Sequence, residues 1–129
     1  MDALRIRAPA ASVNNRQLVD VLCAASVPLR EARRIHLEAY AVLIPHLFMG
    51  EVLKRIGQCL GAGGVHGEEN YGVEMHGIMD ALEQGMATGD RETRNVIAIS
   101  FTRDSEVELF FDELRPLMGP RTRAQLQGR

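Results

Sequence analysis

Apolar residues recur along this chain at three- and four-residue spacing, interrupted by short polar breaks, and that period predicts helix almost throughout. Asn14 is placed to cap a first helix, with Gln17 at the capping-box position and Val13 and Leu18 as a hydrophobic staple; the helix runs to about Ala25. Pro28 opens a second helix, whose inward stripe reads Leu29, Ala32, His36, Ala39/Tyr40 and Leu43. Pro45 breaks the pattern and restarts it, turning Phe48, Met49, Val52, Leu53, Ile56 and Leu60 inward. Glu51, Lys54, Arg55 and Gln58 fall on the outer face, where Glu51 can pair with Lys54 or Arg55.

Four glycines in the seven residues 61–67 mark a flexible loop over 61–70. A helix follows, with Tyr71, Met75, Ile78, Met79, Leu82 and Met86 on one stripe, ending at Gly89, and Asp90 caps the next segment. Residues 95–102 alternate well enough for a strand, but the chain offers no second convincing strand to pair with it, which favours a helix. Ser105 to Glu108 forms a capping box ahead of Val107, Phe110, Phe111, Leu114 and Leu117/Met118, and Gly119-Pro120 ends that helix and starts a short last one through Leu126. The predicted fold is all-α: six to seven short helices in one compact domain over 13–127, with 1–12 as a disordered leader. Helix pairs this short can also stack as a superhelical, HEAT-like array.

At 129 residues the chain is long enough to bury a core without staples, so Cys23 and Cys59, both inside apolar helical patterns, read as free buried thiols. No apolar run reaches membrane-spanning length, and residues 1–11 lack the apolar core of a secretory signal; together with the thiols this predicts a cytoplasmic protein. The net charge of −2 conceals an asymmetry. Residues 1–60 hold eight Arg/Lys against five Asp/Glu, residues 61–118 four against twelve, and residues 119–129 three arginines and no acid. An acidic overall balance and few aromatic residues argue against nucleic acid as a partner. Arg30, Arg33 and Arg34 share one helix face with Glu38 and read as a solvated surface.

Catalytic chemistry is sparse. His36 falls on an inward stripe and reads as a hydrogen-bonded core residue; His46 follows Pro45 at a helix start, where its ring can bond a backbone carbonyl. His66 lies in the glycine-rich loop beside Glu68 and Glu69, and His76 has Asp80 four residues on. Cys59, His66 and His76 lack zinc-site spacing, Ser100 lacks a nucleophile-elbow glycine pattern, and no phosphate-cradling loop is present, so neither metal nor cofactor is expected. A small metal-dependent hydrolase built on His46, His66 or His76 is the least favoured function.

The acidic half carries the functional prediction. Glu106, Leu109 and Glu113 share the outer face of the Ser105 helix, with Glu108 and Asp112 beside them: an apolar anchor framed by acids, as in many protein interfaces. Glu68, Glu69, Glu74 and Glu83 extend that patch. Such a surface suits a basic protein partner approached by electrostatic steering. The alternative is a homo-oligomeric scaffold that packs the methionine stripe of 75–86 against a second copy.

Three segments carry a resemblance. Residues 43–53 resemble the LxPHLFxGxxL stretch of a family of small bacterial proteins of unknown function, residues 89–101 its GD…NxIxxSF stretch, and residues 117–120 a further LxGP. The resemblance implies an all-helical fold in which Pro45, His46, Phe48, Gly50, Asn95, Ser100 and Phe101 are structural, and the loop at 61–70 is extra to the family pattern. Some members resemble immunity proteins that protect a bacterium from a toxin, which would make the basic partner a cognate toxin. The family supplies no catalytic residues.

Overall fold

The structure, a computed structural model, describes residues 14–61, 71–103 and 115–127. Helix α1 (Asn15–Ala25) begins with the reciprocal bonds its sequence predicts: Gln17 N–H donates to Asn14 Oδ1 and Asn14 N–H to Gln17 Oε1, both at 2.9 Å. Val13, the other half of the expected staple, lies outside the described residues. Ser26 then does two jobs. Its N–H closes α1 on the Cys23 carbonyl, and its Oγ accepts the Leu29 N–H at 3.2 Å to cap α2 (Val27–Tyr40), with Pro28 in the first turn.

Helix α2 ends where Ala41 turns into the left-handed region at φ 66°, its N–H held by the Leu37 carbonyl at 2.8 Å. That turn corrects the expected inward stripe. Leu29 and His36 are buried, but Ala39 and Tyr40 are exposed, and Leu43 packs on the core from beyond the helix. His36 is satisfied, as expected of a core histidine: its Nε2 accepts the Ile44 N–H at 2.9 Å while its ring meets Phe48 edge-on. The same bond fixes the entry to α3 (Pro45–Gly61), which buries Phe48, Met49, Val52, Leu53, Ile56 and Cys59.

After residues 62–70, which contain most of the expected glycine-rich loop and are not among those described, come α4 (Tyr71–Thr88) and α5 (Arg91–Arg103). Asp90 caps α5, its Oδ1 accepting the Thr93 N–H at 2.8 Å. The ambiguous stretch 95–102 is therefore helical; it buries one face through Val96 and Ile97 and leaves Asn95 exposed. The expected Ser105 helix falls largely in 104–114, outside the described residues. Its end differs from expectation: Arg115–Leu117 is a 3-10 turn, consistent with Pro116 having no N–H to continue an α-helix. Helix α6 (Pro120–Gln127) closes the described chain. The all-α fold is thus as the periodicity reads it.

Helix α4 lies at the centre, in contact with α1, α3, α5 and α6. Its Met75, Ile78, Met79, Ala81 and Leu82 are buried, so the methionine stripe is taken up largely by the monomer core and Met75 and Met79 are not free for self-association. On one side Gly77, Ala81 and Gly85 repeat every four residues, a small-residue ridge that lets α1 approach closely. A Cβ at Gly77 would stand 2.8 Å from the Cβ of Ala25, an atom that no rotamer change can move aside. Gly50, by contrast, has nothing within 4 Å of the same position.

These two glycines should respond oppositely to alanine. Gly77→Ala should lower stability by about 1–3 kcal/mol through overpacking, less the helix-propensity gain. Gly50→Ala should raise it by about 0.5–1 kcal/mol. Urea denaturation of both variants checks the pair; a stabilised Gly77→Ala would show that α1 and α4 are not in close contact.

Candidate functional site

Two of the acids expected to face a partner are described, and both point inward. Glu74, only 13% exposed, accepts Arg55 Nε at 2.7 Å and a second guanidinium nitrogen at 2.8 Å, and Ser26 Oγ donates to it at 2.6 Å. One carboxylate thus joins α4, α3 and the α1–α2 corner, and the Arg55 bonds hold its carboxyl below the ordinary glutamate range despite burial. Arg55 is accordingly engaged across the fold with Glu74, where the sequence places it beside Glu51 on an outer helix face. Glu83 serves the other end of α4. It accepts the N–H groups of Arg121 and Thr122 and the Thr122 hydroxyl at 2.9–3.1 Å, satisfying the first-turn donors of α6 from a distance of 39 residues. Glu68, Glu69, Glu106, Glu108, Leu109, Asp112 and Glu113 lie outside the described residues.

The groups considered for catalysis are dispersed. His46 is exposed at the start of α3, not turned onto a carbonyl, and His76 is exposed on α4; His66 is not among the described residues. No group of three His, Cys, Asp or Glu side chains among the described residues could hold a metal ion. Cys23 and Cys59 are free and buried. Burial, assisted by the neighbouring Glu74 carboxylate, pushes the Cys59 thiol up to about 11, which removes it as a nucleophile near neutral pH. Burial raises Cys23 as well. Of the residues in the resembling segments, Pro45 opens α3 and Phe48 is at the centre of the core, while Gly50 and Asn95 are exposed, Ser100 is half-buried and Phe101 lies in α5.

The surface that stands out lies elsewhere. Of the eight large apolar side chains exposed among the described residues, seven lie within residues 21–47, and only Val73 lies beyond. They concentrate on α2, which buries just Leu29 and His36. Between α2 and the first half of α3 runs a cleft of about 460 Å³, floored by Ala32 and His36. Its walls are Ile35 at 53% exposure, Tyr40 at 50% and Leu47 at 49%. Glu31 and Glu51 line it, and among the described residues no Arg or Lys does. On the adjoining ridge Arg34 bridges Glu31 and Glu38, and its bond to Glu31 lowers that carboxyl's pKa. The sequence carries a signal for the exposed apolar surface around α2: Ile35 on this flank, and Val27, Leu37 and Val42 elsewhere around the helix, are apolar yet fall off the inward stripe.

No protein-family model, curated protein or solved structure matches this chain.

The Glu74 geometry carries a pH dependence. Its carboxyl is held below the ordinary value of 4.5, so its contribution is complete above that value and is lost as pH falls through the lowered one. Glu74→Gln should cost about 1.5–3 kcal/mol at neutral pH, since it removes the charge-assisted bonds that Arg55 and Ser26 make to this carboxylate. The difference from the native protein should shrink as pH drops below the glutamate range. Urea midpoints of the two proteins measured from pH 7 to pH 3 test this; a constant difference would remove the ion pair as its source.

Proposed function

We propose that this protein is a non-enzymatic binding module for a basic protein partner, gripping it at the cleft between α2 and α3. The observation that carries the reading is the concentration of exposed apolar side chains on and around α2, with Val73 the single large one beyond residues 21–47 among the described residues. Ile35, Tyr40 and Leu47 supply apolar and aromatic anchors of the kind that dominate binding energy, and Glu51 in the lining, with the Glu31–Arg34–Glu38 cluster beside it carrying one net negative charge, biases the rim towards a cationic partner. The acidic balance of residues 61–118 supports the same sign of partner by adding a longer-range field. An immunity protein that blocks a basic toxin is the instance suggested by the resemblance of residues 43–53, 89–101 and 117–120.

The test is co-purification from the native host at low and high salt, comparing the native protein with an Ile35→Ser/Leu47→Ser variant. Both substitutions sit on exposed positions, so circular dichroism should show an unchanged helical fold. A single basic protein retained at low salt, weakened by high salt and lost at least tenfold in the variant is the expected result. Equal retention by the variant, or retention only of acidic proteins, would overturn the assignment of the cleft.

A further inference from the structure

The opposite flank of α2 carries a second cleft, of about 500 Å³, between α1, α2 and the turn that follows α2. Its size falls in the range of small-molecule sites. The walls are apolar: Val19, buried, with Leu37, Val42 and Leu43. The polar groups are two guanidinium side chains, Arg16 from the first turn of α1 and Arg33 from α2, and one carboxylate, Asp20. Asp20 Oδ1 accepts Arg33 Nη1 at 2.8 Å, so the lining among the described residues retains one positive charge in excess. Among the described residues Arg16 has no ion-pair partner, and Arg33 uses only that one nitrogen of its fork.

The far wall is built to stay in place. Ala41 is locked in its left-handed turn by the Leu37 carbonyl, and the Ile44 N–H is held by His36 at 2.9 Å, so Val42 and Leu43 sit between two fixed points. Val42 nevertheless remains mostly exposed. A rigid apolar wall opposite two guanidinium groups, with a surplus of one charge, matches one ligand chemistry. The apolar wall disfavours a strongly hydrated polyanion such as a phosphate ester, and the single surplus charge matches a monoanion. A guanidinium fork pairs with a carboxylate through two parallel bonds.

We propose that this cleft binds a small apolar monocarboxylate, its acid group held by Arg16 and Arg33 and its hydrocarbon body laid against Leu37, Val42 and Leu43. It is separate from the α2–α3 cleft and does not depend on a protein partner. A free acid and the terminal carboxylate of a peptide share this chemistry, and the probes distinguish them.

The experiment is a titration of the full chain followed by amide NMR shifts, using octanoate, octanamide, octylamine and N-acetyl-leucyl-leucine. Octanoate should give saturable shifts centred on residues 16–20, 33–37 and 41–43, with octanamide and octylamine at least about tenfold weaker. Tighter binding of the dipeptide than of octanoate would assign the site to a chain terminus; the reverse order assigns it to a free acid. Arg16→Gln, an exposed substitution outside the core, should weaken octanoate about tenfold with an unchanged melting temperature, and Arg33→Gln should do the same. Equal binding of octanoate and octanamide, shifts that never saturate, shifts centred elsewhere, or unaltered affinity in both arginine variants would overturn the proposal.

Discussion

The fold turns on the carboxylate of Glu74. It takes two hydrogen bonds from Arg55 and one from Ser26, so three parts of the chain separated by 19 and 48 residues meet at one half-buried charge. Ser26 is itself the corner at which α1 ends and α2 is capped. Through that hydroxyl the corner between the first two helices is tied to α4. A charge taken this far out of water is tolerable only with such complete pairing, and each group would be costly to leave alone. The close approach of α1 at Gly77 and the Glu83 cap on α6 extend the same logic along α4, which holds the fold at both ends through its acids.

That arrangement decides what the surface can offer. With Glu74 and Glu83 engaged inside, the acidity of residues 61–118 is less available to a partner than the charge count suggests. Met75 and Met79, which the self-association reading sets between two copies, fill the core around α4. Helix α2, held by Leu29, His36 and the Ser26 corner, is left as an outer ridge with an apolar cleft on each flank. One flank is bordered by acids and the other by arginines, so the two clefts suit ligands of opposite charge.

Local features of this fold are legible in the sequence because they depend on neighbours. The Asn14–Gln17 capping box, the Asp90 cap and the core stripe of α3 all act within a helical turn or two, and each stands where the spacing places it. Tyr40 escapes the period because the left-handed turn at Ala41 ends the helix just beyond it; nothing in the composition of Ala41 announces a positive φ. Ser26 is readable in retrospect as a hydroxyl two residues before a proline. The partners of Glu74 and Glu83 are not readable, since an acid on an amphipathic helix looks the same whether it meets water or an arginine from another helix. The candidate surface was half visible: its apolar residues lie off the inward stripe, but that two clefts flank α2 follows only from the packing of α1 and α3 against it.

Hydrogen exchange measured along the chain, for the protein alone and in complex with a basic protein retained in the co-purification, addresses the proposed binding surface most directly. Slowed exchange centred on residues 28–51, in α2 and the first half of α3, is the expected outcome. Protection confined to residues 61–118, with α2 exchanging as freely as in the unbound protein, would contradict it and return the binding role to the acidic half.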